Sequence, residues 1–393
     1  MKRREFIIKS TLASAAVSAT SFAIGSNLNF ENAIETINIG IIGTGARGAG
    51  LIPSINHIKN FNVVACCDIL PFRLENGLAR VNGKAKGYKD YRELLDNKDI
   101  DAVLIATPFS THSQIAIDAL DASKHVYCEK TMAKGYDGIQ NLVQKVEQSK
   151  AIFQTGHQYH SSRLYTHVVD LIKNGKIGKI IAFDCQWNRN GDWRRPVPDP
   201  DLERIINWRM YREYSGGLLA ELCSHQIDFA NWVLNETPNQ VMGTGGIDYW
   251  KDGRETYDNI HLIYNYPSGV KATFTCLTGN SRDDYKIKVM GDKGTIILDY
   301  HKAWFFPEGQ TKKELGDLDG VSGATIKWDK GLGIPIDVDH KEPSEQALLD
   351  FRDSIVLNKE PVSNIATGSN TAVCIQMGLD AMYNNKIVTR PVF

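Results

Sequence analysis

Three ionisable residues, Lys130, Glu221 and His225, are of types that could bind a hydroxyl group and remove its proton. Glu221 and His225 are four positions apart, so a helix would place both on one side. An imidazole that titrates near neutrality suits removal of a hydroxyl proton. The Lys130 ammonium could hold the hydroxyl oxygen and stabilise developing negative charge. The Glu221 carboxylate could set the tautomer and orientation of His225. Lys130, His225 and Glu221 are therefore the candidate catalytic residues.

Taken alone, the Glu221–His225 pair is better explained as part of a surface helix with an i, i+4 pair and a capping histidine. Asp228 lies nearly on the same helix face, which adds to this structural interpretation. The rest of the chain must decide between the catalytic and the structural interpretation, because oxidation of an alcohol also needs a cofactor that accepts the hydride.

A glycine motif indicates a site for such a cofactor. Ile37 to Ile42 is a short, β-branched apolar run that predicts a buried parallel strand, and Gly43, Gly45 and Gly48 follow as G-x-G-x-x-G. The first glycine permits a tight turn, the second a close approach to a pyrophosphate, and the third helix packing on the strand. The helix N-terminus then attracts the phosphate charge.

The next predicted strand, Asn62 to Cys67, ends in Asp68, about 20 residues past the glycines, where a carboxylate would bond the ribose 2′-hydroxyl. A carboxylate there repels a 2′-phosphate, so NAD is favoured and NADP is disfavoured. Arg73 weakens that preference because it could accept such a phosphate. A turn or cap role for Asp68 is the structural alternative.

Strands and helices continue to alternate up to Thr155, which predicts a doubly wound parallel sheet over residues 36–157. Ligands bind beyond the carboxyl ends of such strands, and polar residues follow several of them, including His157. The candidate cofactor-binding residues are Gly43, Thr44, Gly45, Ala46, Arg47, Gly48, Asp68, Arg73, Thr107, Pro108, His112, Glu129, Lys130 and Gln158.

The remaining residues, 158–393, predict a second α/β domain. A long strand over Lys179 to Arg189 precedes a helix over Gly217 to Leu234, and short turns then join several strands, which indicates antiparallel hairpins. Gln310 to Lys341 is an irregular, Gly- and charge-rich excursion.

Residues 187–212 of this half form a loop that is dense in aromatic and basic residues, among them Trp187, Trp193, Arg194, Arg195 and Trp208. Aromatic faces stack on sugar C–H surfaces, and Arg and Asn bond hydroxyls, although a packed structural excursion or a subunit contact explains the loop almost as well. The candidate substrate-binding residues are Lys130, Tyr159, Arg163, Trp193, Arg194, Trp208 and His225.

The composition disfavours several classes of binding partner and of metal or disulfide site. Lys and Arg number 45 against 46 Asp and Glu, a formal net charge of -1, which disfavours a nucleic-acid partner. Seven Cys without a C-x-x-C favour neither a disulfide scaffold nor a zinc ribbon, and we expect no metal site. All seven lie inside apolar patterns and are predicted to be small buried side chains.

The first 35 residues differ in kind. Arg3 and Arg4 precede a stretch from Ser10 to Phe30 without charge, too poor in Leu and Ile for a transmembrane helix. The arrangement resembles a twin-arginine export signal, with Lys2 where Ser or Thr is usual. It predicts export to the periplasm and no stable membrane insertion of the mature chain. A basic N-terminus before a disordered tail is the alternative.

Several ordered motifs together resemble the glucose-fructose oxidoreductase / inositol dehydrogenase / MocA (Gfo/Idh/MocA) family. They are G-T-G-A-R-G at 43–48, C-D at 67–68, A-T-P-F-S-T-H at 106–112, C-E-K at 128–130, G-H-Q at 156–158 and G-G-L-L-A-E-L-C-S-H-Q-I-D at 216–228. Two positions depart from the family pattern. Thr131 replaces a proline after the lysine, and Glu221 replaces an aspartate, which moves the carboxylate one methylene further out.

The resemblance implies a Rossmann domain followed by a mostly antiparallel α/β domain, a homo-oligomer (dimer or tetramer), and hydride transfer between NAD and a hydroxyl of a sugar, glycoside or polyol. Two alternatives stay open. One is an NAD-dependent glycoside hydrolase that oxidises, eliminates and re-reduces its substrate. The other is a non-catalytic sugar-binding protein that keeps the dinucleotide as a structural element.

Overall fold

The computed structural model describes residues 36–308 and 333–392. Its first strand, Ile37–Ile42, is almost wholly buried because apolar clusters cover both of its faces. Ile39 and Ile41 face one cluster and Ile42 faces the other. A strand buried on both faces needs the continuous β-branched run that the sequence shows.

Six parallel strands form the first sheet, in the order β3-β2-β1-β4-β5-β6. The order reverses between β1 and β4, so a ligand crevice is expected beyond their carboxyl ends. The strands are β1 (Ile37–Ile42), β2 (Phe61–Cys67), β3 (Lys86–Tyr88), β4 (Ala102–Ile105), β5 (His125–Cys128) and β6 (Phe153–Thr155). The helices of this half are Ala46–Asn56, Pro71–Leu78, Tyr91–Leu95, His112–Asp121 and Tyr136–Gln148.

Nine strands form the second sheet, in the order β14-β13-β12-β11-β7-β10-β9-β8-β15. Neighbours are antiparallel except β7 and β10, which are parallel. The strands are β7 (Ile180–Trp187), β8 (Gln240–Gly246), β9 (Asn259–Asn265), β10 (Lys271–Leu277), β11 (Tyr285–Gly291), β12 (Gly294–Leu298), β13 (Ala303–Pro307), β14 (Ile334–Ile336) and β15 (Val388–Thr389). The two sheets confirm the predicted fold class.

Strand β7 shows why one face of this sheet is covered. Phe183, Cys185 and Trp187 are buried, whereas the intervening Asp184 is exposed, so only one face contributes to the core. The helices of this half are Arg163–Lys173, Glu203–Ile206, Ser224–Leu234, Pro343–Val356 and Ile365–Asn384. Within the described ranges, no helix is both long and apolar enough to cross a membrane.

One C-terminal helix packs on the first sheet instead of the second. In helix Pro343–Val356, the Phe351 ring lies 5.6 Å from Tyr127 and 6.4 Å from Phe61, measured between centroids. The chain therefore returns to the nucleotide-binding half near its end. The predicted bounds 36–157 and 158–393 did not include this crossing, because no local pattern shows which sheet a helix covers.

Several elements were not predicted: helices Pro71–Leu78, Arg163–Lys173 and Glu203–Ile206, and strands β3, β14 and β15. Strand β14 lies inside the stretch from Gln310 to Lys341 that the sequence predicted to be irregular. The predicted helix over Gly217 to Leu234 is divided, because Leu219–Cys223 forms a π-helical turn before helix Ser224–Leu234. The predicted export signal over 1–35 lies outside the described residues, as do residues 309–332 of the predicted excursion.

The seven cysteines are free and buried, as predicted. Cys66 and Cys67 belong to different hydrophobic clusters, because adjacent residues of a strand point to opposite faces of the sheet. Burial raises the pKa of each of these two thiols to about 12. Neither is therefore a reactive thiolate at neutral pH.

Candidate active site

A cleft of about 1090 Å³ lies at the carboxyl ends of the first sheet. Its walls come from both halves of the described chain. Twelve of the fourteen predicted cofactor-binding residues line it: Gly43, Gly45, Ala46, Arg47, Asp68, Arg73, Thr107, Pro108, His112, Glu129, Lys130 and Gln158. Thr44 and Gly48 do not line it, and both are buried beneath the turn.

The glycine turn has the shape that its sequence predicts. Gly43 has φ +89°, and a Cβ atom there would lie 2.8 Å from the backbone of Ala106. A Cβ on Gly48 would lie 1.9 Å from the carbonyl oxygen of Gly43. Side chains at these positions would separate the helix from the strand, so the helix Ala46–Asn56 reaches the cleft only because both residues are glycine.

Asp68 is fixed at the end of β2. Its Oδ2 accepts a hydrogen bond from the Thr44 backbone N–H at 2.9 Å, and its Oδ1 accepts one from Leu70 at 2.9 Å. Burial raises its pKa, although these bonds and the charge of Arg73 oppose the shift. A carboxylate held in this way can still accept a ribose hydroxyl, because each oxygen has a further lone pair.

Arg47 and His112 tie the strand ends together. Arg47 Nε donates to Glu129 Oε1 at 2.6 Å. The two ring nitrogens of His112 lie 2.9 Å from the carbonyl oxygens of Thr107 and Thr131. Burial lowers the pKa of His112, so the neutral ring donates to one of these carbonyls and holds the loops after β4 and β5 together.

Lys130 projects from the loop after β5, and its peptide bond to Thr131 is cis. Its Nζ donates to the backbone carbonyl of Glu221 at 2.7 Å. Burial lowers the pKa of Lys130, and the carboxylates of Glu221 and Glu129 only partly oppose that effect. The lysine is thus anchored across the cleft and retains further N–H donors for a ligand.

Glu221 lines the cleft with His225, but no hydrogen bond joins these two described side chains, so the orienting role of Glu221 stays a prediction. The Glu221 Oε2 accepts from Arg209 Nε at 2.7 Å. Burial alone would raise the pKa of Glu221, but the charges of Arg209 and Lys130 outweigh it and the pKa lies below its ordinary value. The π-helical turn that carries Glu221 changes the angular spacing to His225, so the i, i+4 argument did not apply.

His225 lies in a pocket of rings and lines the cleft. Its ring centroid is 5.1 Å from Tyr159, 5.9 Å from Trp187 and 6.0 Å from His157. Among the described residues, its Nδ1 has no hydrogen-bond partner. Burial, reinforced by the charge of Lys130, lowers the pKa of His225 well below 6.5, so the imidazole is neutral near pH 7.

Asp228 belongs to a separate contact. Its Oδ2 lies 2.9 Å from His160 Nε2, and its Oδ1 accepts a hydrogen bond from Thr371 Oγ1 at 3.2 Å. The His160 ring stacks on Trp232 at 4.2 Å. Although Asp228 is near Glu221 and His225 in sequence, its carboxylate joins two helices behind the cleft and is not part of the candidate site.

Of the predicted substrate-binding residues, Lys130, Trp193, Trp208 and His225 line the cleft, whereas Tyr159, Arg163 and Arg194 do not. Tyr159 is buried behind His225 and stacks on Tyr165. Arg163 begins a helix whose buried face holds Leu164 and Tyr165, so its own side chain is exposed. Arg194 is held by ion pairs with Glu203 and Asp252.

Several cleft residues were not among the predicted ones: Trp187, Arg189, Arg195, Arg204 and Arg209. All five lie in or beside the aromatic and basic loop that the sequence singled out. Composition therefore located the loop, but it did not show which arginines have carboxylate partners and which face the cleft.

Comparison with known protein families identifies the family of the protein that carries this cleft. The model described as "Oxidoreductase family, NAD-binding Rossmann fold" matches residues 37–157, and the one described as "GFO/IDH/MocA C-terminal domain" matches 165–297. The chain belongs to the Gfo/Idh/MocA oxidoreductase family. Its first domain binds NAD, as predicted, and the predicted enzyme class, an NAD-dependent dehydrogenase, agrees with this membership and with named relatives.

The similar proteins of the Gfo/Idh/MocA family carry the names of different enzymes. The chain is 27% identical over 273 residues to the myo-inositol 2-dehydrogenase of Thermotoga maritima, covering 67% of this chain and 75% of the relative. It is 29% identical over 269 residues to the 2,7-anhydro-N-acetylneuraminate hydratase of Escherichia coli, covering 68% of each. A levoglucosan dehydrogenase in complex with NADH has the same fold, with a TM-score of 0.72, 20% identity, and coverage of 91% of this chain and 100% of that chain.

The residues present fit NAD. A Cβ on Gly45 would meet only Arg73 Nη1, at 3.8 Å, so the backbone of the turn is open to a pyrophosphate. Asp68 ends β2 beside this turn, where a carboxylate can accept from a ribose hydroxyl, and Gln158 also lines the cleft. Among the described residues, the buried Gln158 Oε1 has no hydrogen-bond partner, so it can accept one from a bound ligand. In the same part of the chain, no group of three or more His, Cys, Asp and Glu residues could hold a metal ion.

Proposed function

We propose that this Gfo/Idh/MocA enzyme interconverts a CH–OH group of a sugar, glycoside or polyol with the corresponding ketone, using NAD. One observation carries the proposal: Lys130 Nζ and a buried, neutral His225 line the same cleft as the glycine turn and Asp68. A neutral imidazole can accept a hydroxyl proton, and an ammonium donor can stabilise the negative charge that develops on the oxygen.

The chain's own residues would divide the work as follows. Bound NAD⁺ supplies the acceptor for the hydride that leaves the substrate carbon. Lys130 donates a hydrogen bond to the hydroxyl oxygen and stabilises the negative charge on it. His225 accepts the hydroxyl proton as a neutral imidazole. Its lowered pKa keeps it neutral near pH 7 but also makes it a weaker base than the freely titrating imidazole that the sequence suggested. The Arg209–Glu221 ion pair holds the segment whose carbonyl anchors Lys130.

A carbohydrate substrate is supported by the composition of the cleft wall. Trp187, Trp193 and Trp208 line it, and flat aromatic faces pack against the C–H surfaces of sugars. The named relatives include enzymes of inositol and of an anhydro sugar. The near-zero net charge agrees with a neutral, polyhydroxylated ligand.

The test uses purified protein, NAD⁺ and a panel of monosaccharides, methyl glycosides and inositols, with the absorbance of reduced nicotinamide as the readout. We expect oxidation of at least one compound by the wild type, and oxidation of that compound with a kcat/KM about 10²–10³-fold lower by Lys130→Met. If the wild type oxidises no panel member and reduces no ketosugar, the proposal is wrong. A ligand that binds equally to wild type and to Lys130→Met without turnover would favour the sugar-binding alternative.

A second candidate is glycosidic bond cleavage through oxidation, elimination and re-reduction. One named relative, a hydratase, carries out a reaction without net oxidation or reduction, which favours keeping this possibility. Such activity would release a reducing sugar from a glycoside with no net change in NADH. The same panel distinguishes it from dehydrogenation when both products are measured.

We also propose export in the folded state by the twin-arginine pathway, supported by Arg3, Arg4 and the uncharged stretch that follows them. Free NAD is scarce outside the cytoplasm, so we expect the cofactor to be held tightly. Replacing both arginines by lysine should retain the protein in the cytoplasm; unchanged periplasmic recovery would contradict the proposal. Homo-oligomerisation stays a prediction, which the mass of the native particle in solution would test.

A further inference from the structure

Beyond His225, the cleft wall continues outward as alternating rings and a guanidinium group. The Trp187 ring centroid lies 5.9 Å from that of His225. Arg189 Cζ then lies 5.6 Å from the Trp187 ring and 5.8 Å from the Trp193 ring. Trp193 is therefore linked to the proposed proton acceptor through Arg189 and Trp187, and it is partly buried whereas Trp187 is buried.

Trp193 is held there at a conformational cost. Its φ is +63°, in the left-handed region that bulky L-residues rarely occupy. The preceding Asp192 accepts from the Arg194 backbone N–H at 3.0 Å through Oδ1 and from Arg254 Nη2 at 3.1 Å through its carbonyl. A strained residue that its surroundings hold at a ligand cleft points to a function for that residue.

Neighbouring contacts also fix Arg195. The Asn207 side chain bonds the backbone of Arg195 on both sides, accepting from its N–H at 2.6 Å and donating to its carbonyl at 3.0 Å. Arg195 itself lines the cleft and is exposed. The backbone is thus fixed while the charged end stays available.

The arginines of the cleft fall into two kinds. Arg204 and Arg209 form ion pairs, the first with Glu213 and Glu255 and the second with Glu221. Within residues 36–308 and 333–392, neither Arg189 nor Arg195 forms an ion pair. Their donors can therefore bind the hydroxyl groups of a ligand without breaking an ion pair.

We propose that Arg189, Trp193 and Arg195 form an outer subsite for the second ring of a glycoside. The ring that is oxidised lies at Lys130 and His225, and the ring joined to it stacks on Trp193. The substrates would then be glycosides whose second part is a sugar ring or an aryl ring, in preference to free monosaccharides. This inference rests on the proposed dehydrogenase function and narrows its substrate class.

The test compares matched pairs that differ only in the second ring: methyl against phenyl glycosides, and methyl glycosides against methyl disaccharides, in both anomers of glucose, galactose and mannose. The measured quantity is the ratio of kcat/KM for the two-ring member to that for the one-ring member. We expect wild type to favour two rings, and Trp193→Ala to lower the ratio by about tenfold, the size of one aromatic contact.

Two further variants sharpen the result. Arg195→Ala should lower the ratio for disaccharides more than for phenyl glycosides, because only the second sugar has hydroxyls to bind. Tyr249→Ala is the matched control, since this ring is 63% exposed and outside the cleft, and it should leave every ratio unchanged.

Equal kcat/KM for both members of every pair in the wild type would overturn the outer subsite, as would an equal loss for both members in Trp193→Ala. If no compound of either kind is oxidised, the proposed function itself fails. These two failures are therefore separate observations.

Discussion

The nucleotide half and the substrate half of the cleft differ in what builds them. The nucleotide half is made by backbone: a glycine turn, a helix N-terminus and the ends of parallel strands. The substrate half is made by long side chains on loops, and their partners decide which of them face the ligand. A backbone-built site follows from local sequence, whereas a side-chain-built site depends on contacts between residues far apart in the chain.

The largest expected effect concerns the substrate half. Replacing Lys130 by Met keeps an unbranched side chain of similar length but removes the charge that stabilises the substrate oxygen. We expect kcat/KM to fall by about 10²–10³-fold, as for loss of one oxyanion donor. NAD binding, measured by fluorescence titration, should change far less. An equal loss of NAD affinity would show that the two halves are not separable at this residue.

A second prediction concerns a buried residue where the two halves meet. Burial lowers the pKa of His157 from 6.5 to about 4. As pH falls, this histidine takes up a proton near pH 6.5 in the unfolded chain but only near pH 4 in the folded chain. The free energy of unfolding therefore decreases between pH 6.5 and pH 4, by roughly 3 kcal/mol in total. Urea unfolding of wild type and His157→Gln across this window measures it. The variant should lose less stability on acidification, and parallel curves would contradict the assignment.

The nucleotide half can be tested with two glycines of one helix. A Cβ on Gly48 would meet the carbonyl oxygen of Gly43 at 1.9 Å, whereas a Cβ on Gly50 would meet nothing within 4 Å. We expect Gly48→Ala to destabilise the protein by about 1–3 kcal/mol and weaken NAD binding. Gly50→Ala should stabilise it by about 0.5–1 kcal/mol, through helix propensity. Equal effects of the two substitutions on NAD affinity would refute the role of close packing.

The smallest effect distinguishes the two interpretations of Glu221. A double-mutant cycle of Glu221→Gln and Arg209→Gln on kcat/KM should show coupling of about 1 kcal/mol, because their side chains are in contact. The corresponding cycle of Glu221→Gln with His225→Asn should be close to additive. Strong coupling to His225 and none to Arg209 would restore the orienting role that the spacing first suggested.

The difference between the two halves of the cleft explains which site residues could be predicted from the sequence. Gly43, Gly48, Asp68 and the strand-end residues were found because each acts within a few residues of a predicted strand. Tyr159 and Arg163 lie outside the cleft because Tyr159 is in the turn Gln158–His160 and Arg163 begins the helix Arg163–Lys173, and the sequence analysis predicted neither element. The ion pairs of Arg194 could not be predicted, because its carboxylate partners, Glu203 and Asp252, come from other segments.

The π-helical turn explains why the predicted contact between Glu221 and His225 is absent. An i, i+4 argument assumes α-helical geometry, and no local signal marks Leu219–Cys223 as an exception. The fold class was predictable throughout, because alternating strands and helices followed by hairpins leave few arrangements. The packing of helix Pro343–Val356 on the first sheet was not predictable, because it depends on two rings of that sheet, Phe61 and Tyr127.

The central claim is that Lys130 and His225 act on one hydroxyl group beside bound NAD. A crystal structure of the protein with NAD⁺ and a methyl glycoside tests it most directly. The account predicts one sugar hydroxyl within hydrogen-bond distance of both Lys130 Nζ and the His225 ring, with the hydrogen on the same carbon directed at the nicotinamide. A sugar bound in the cleft whose hydroxyls contact neither residue would contradict it.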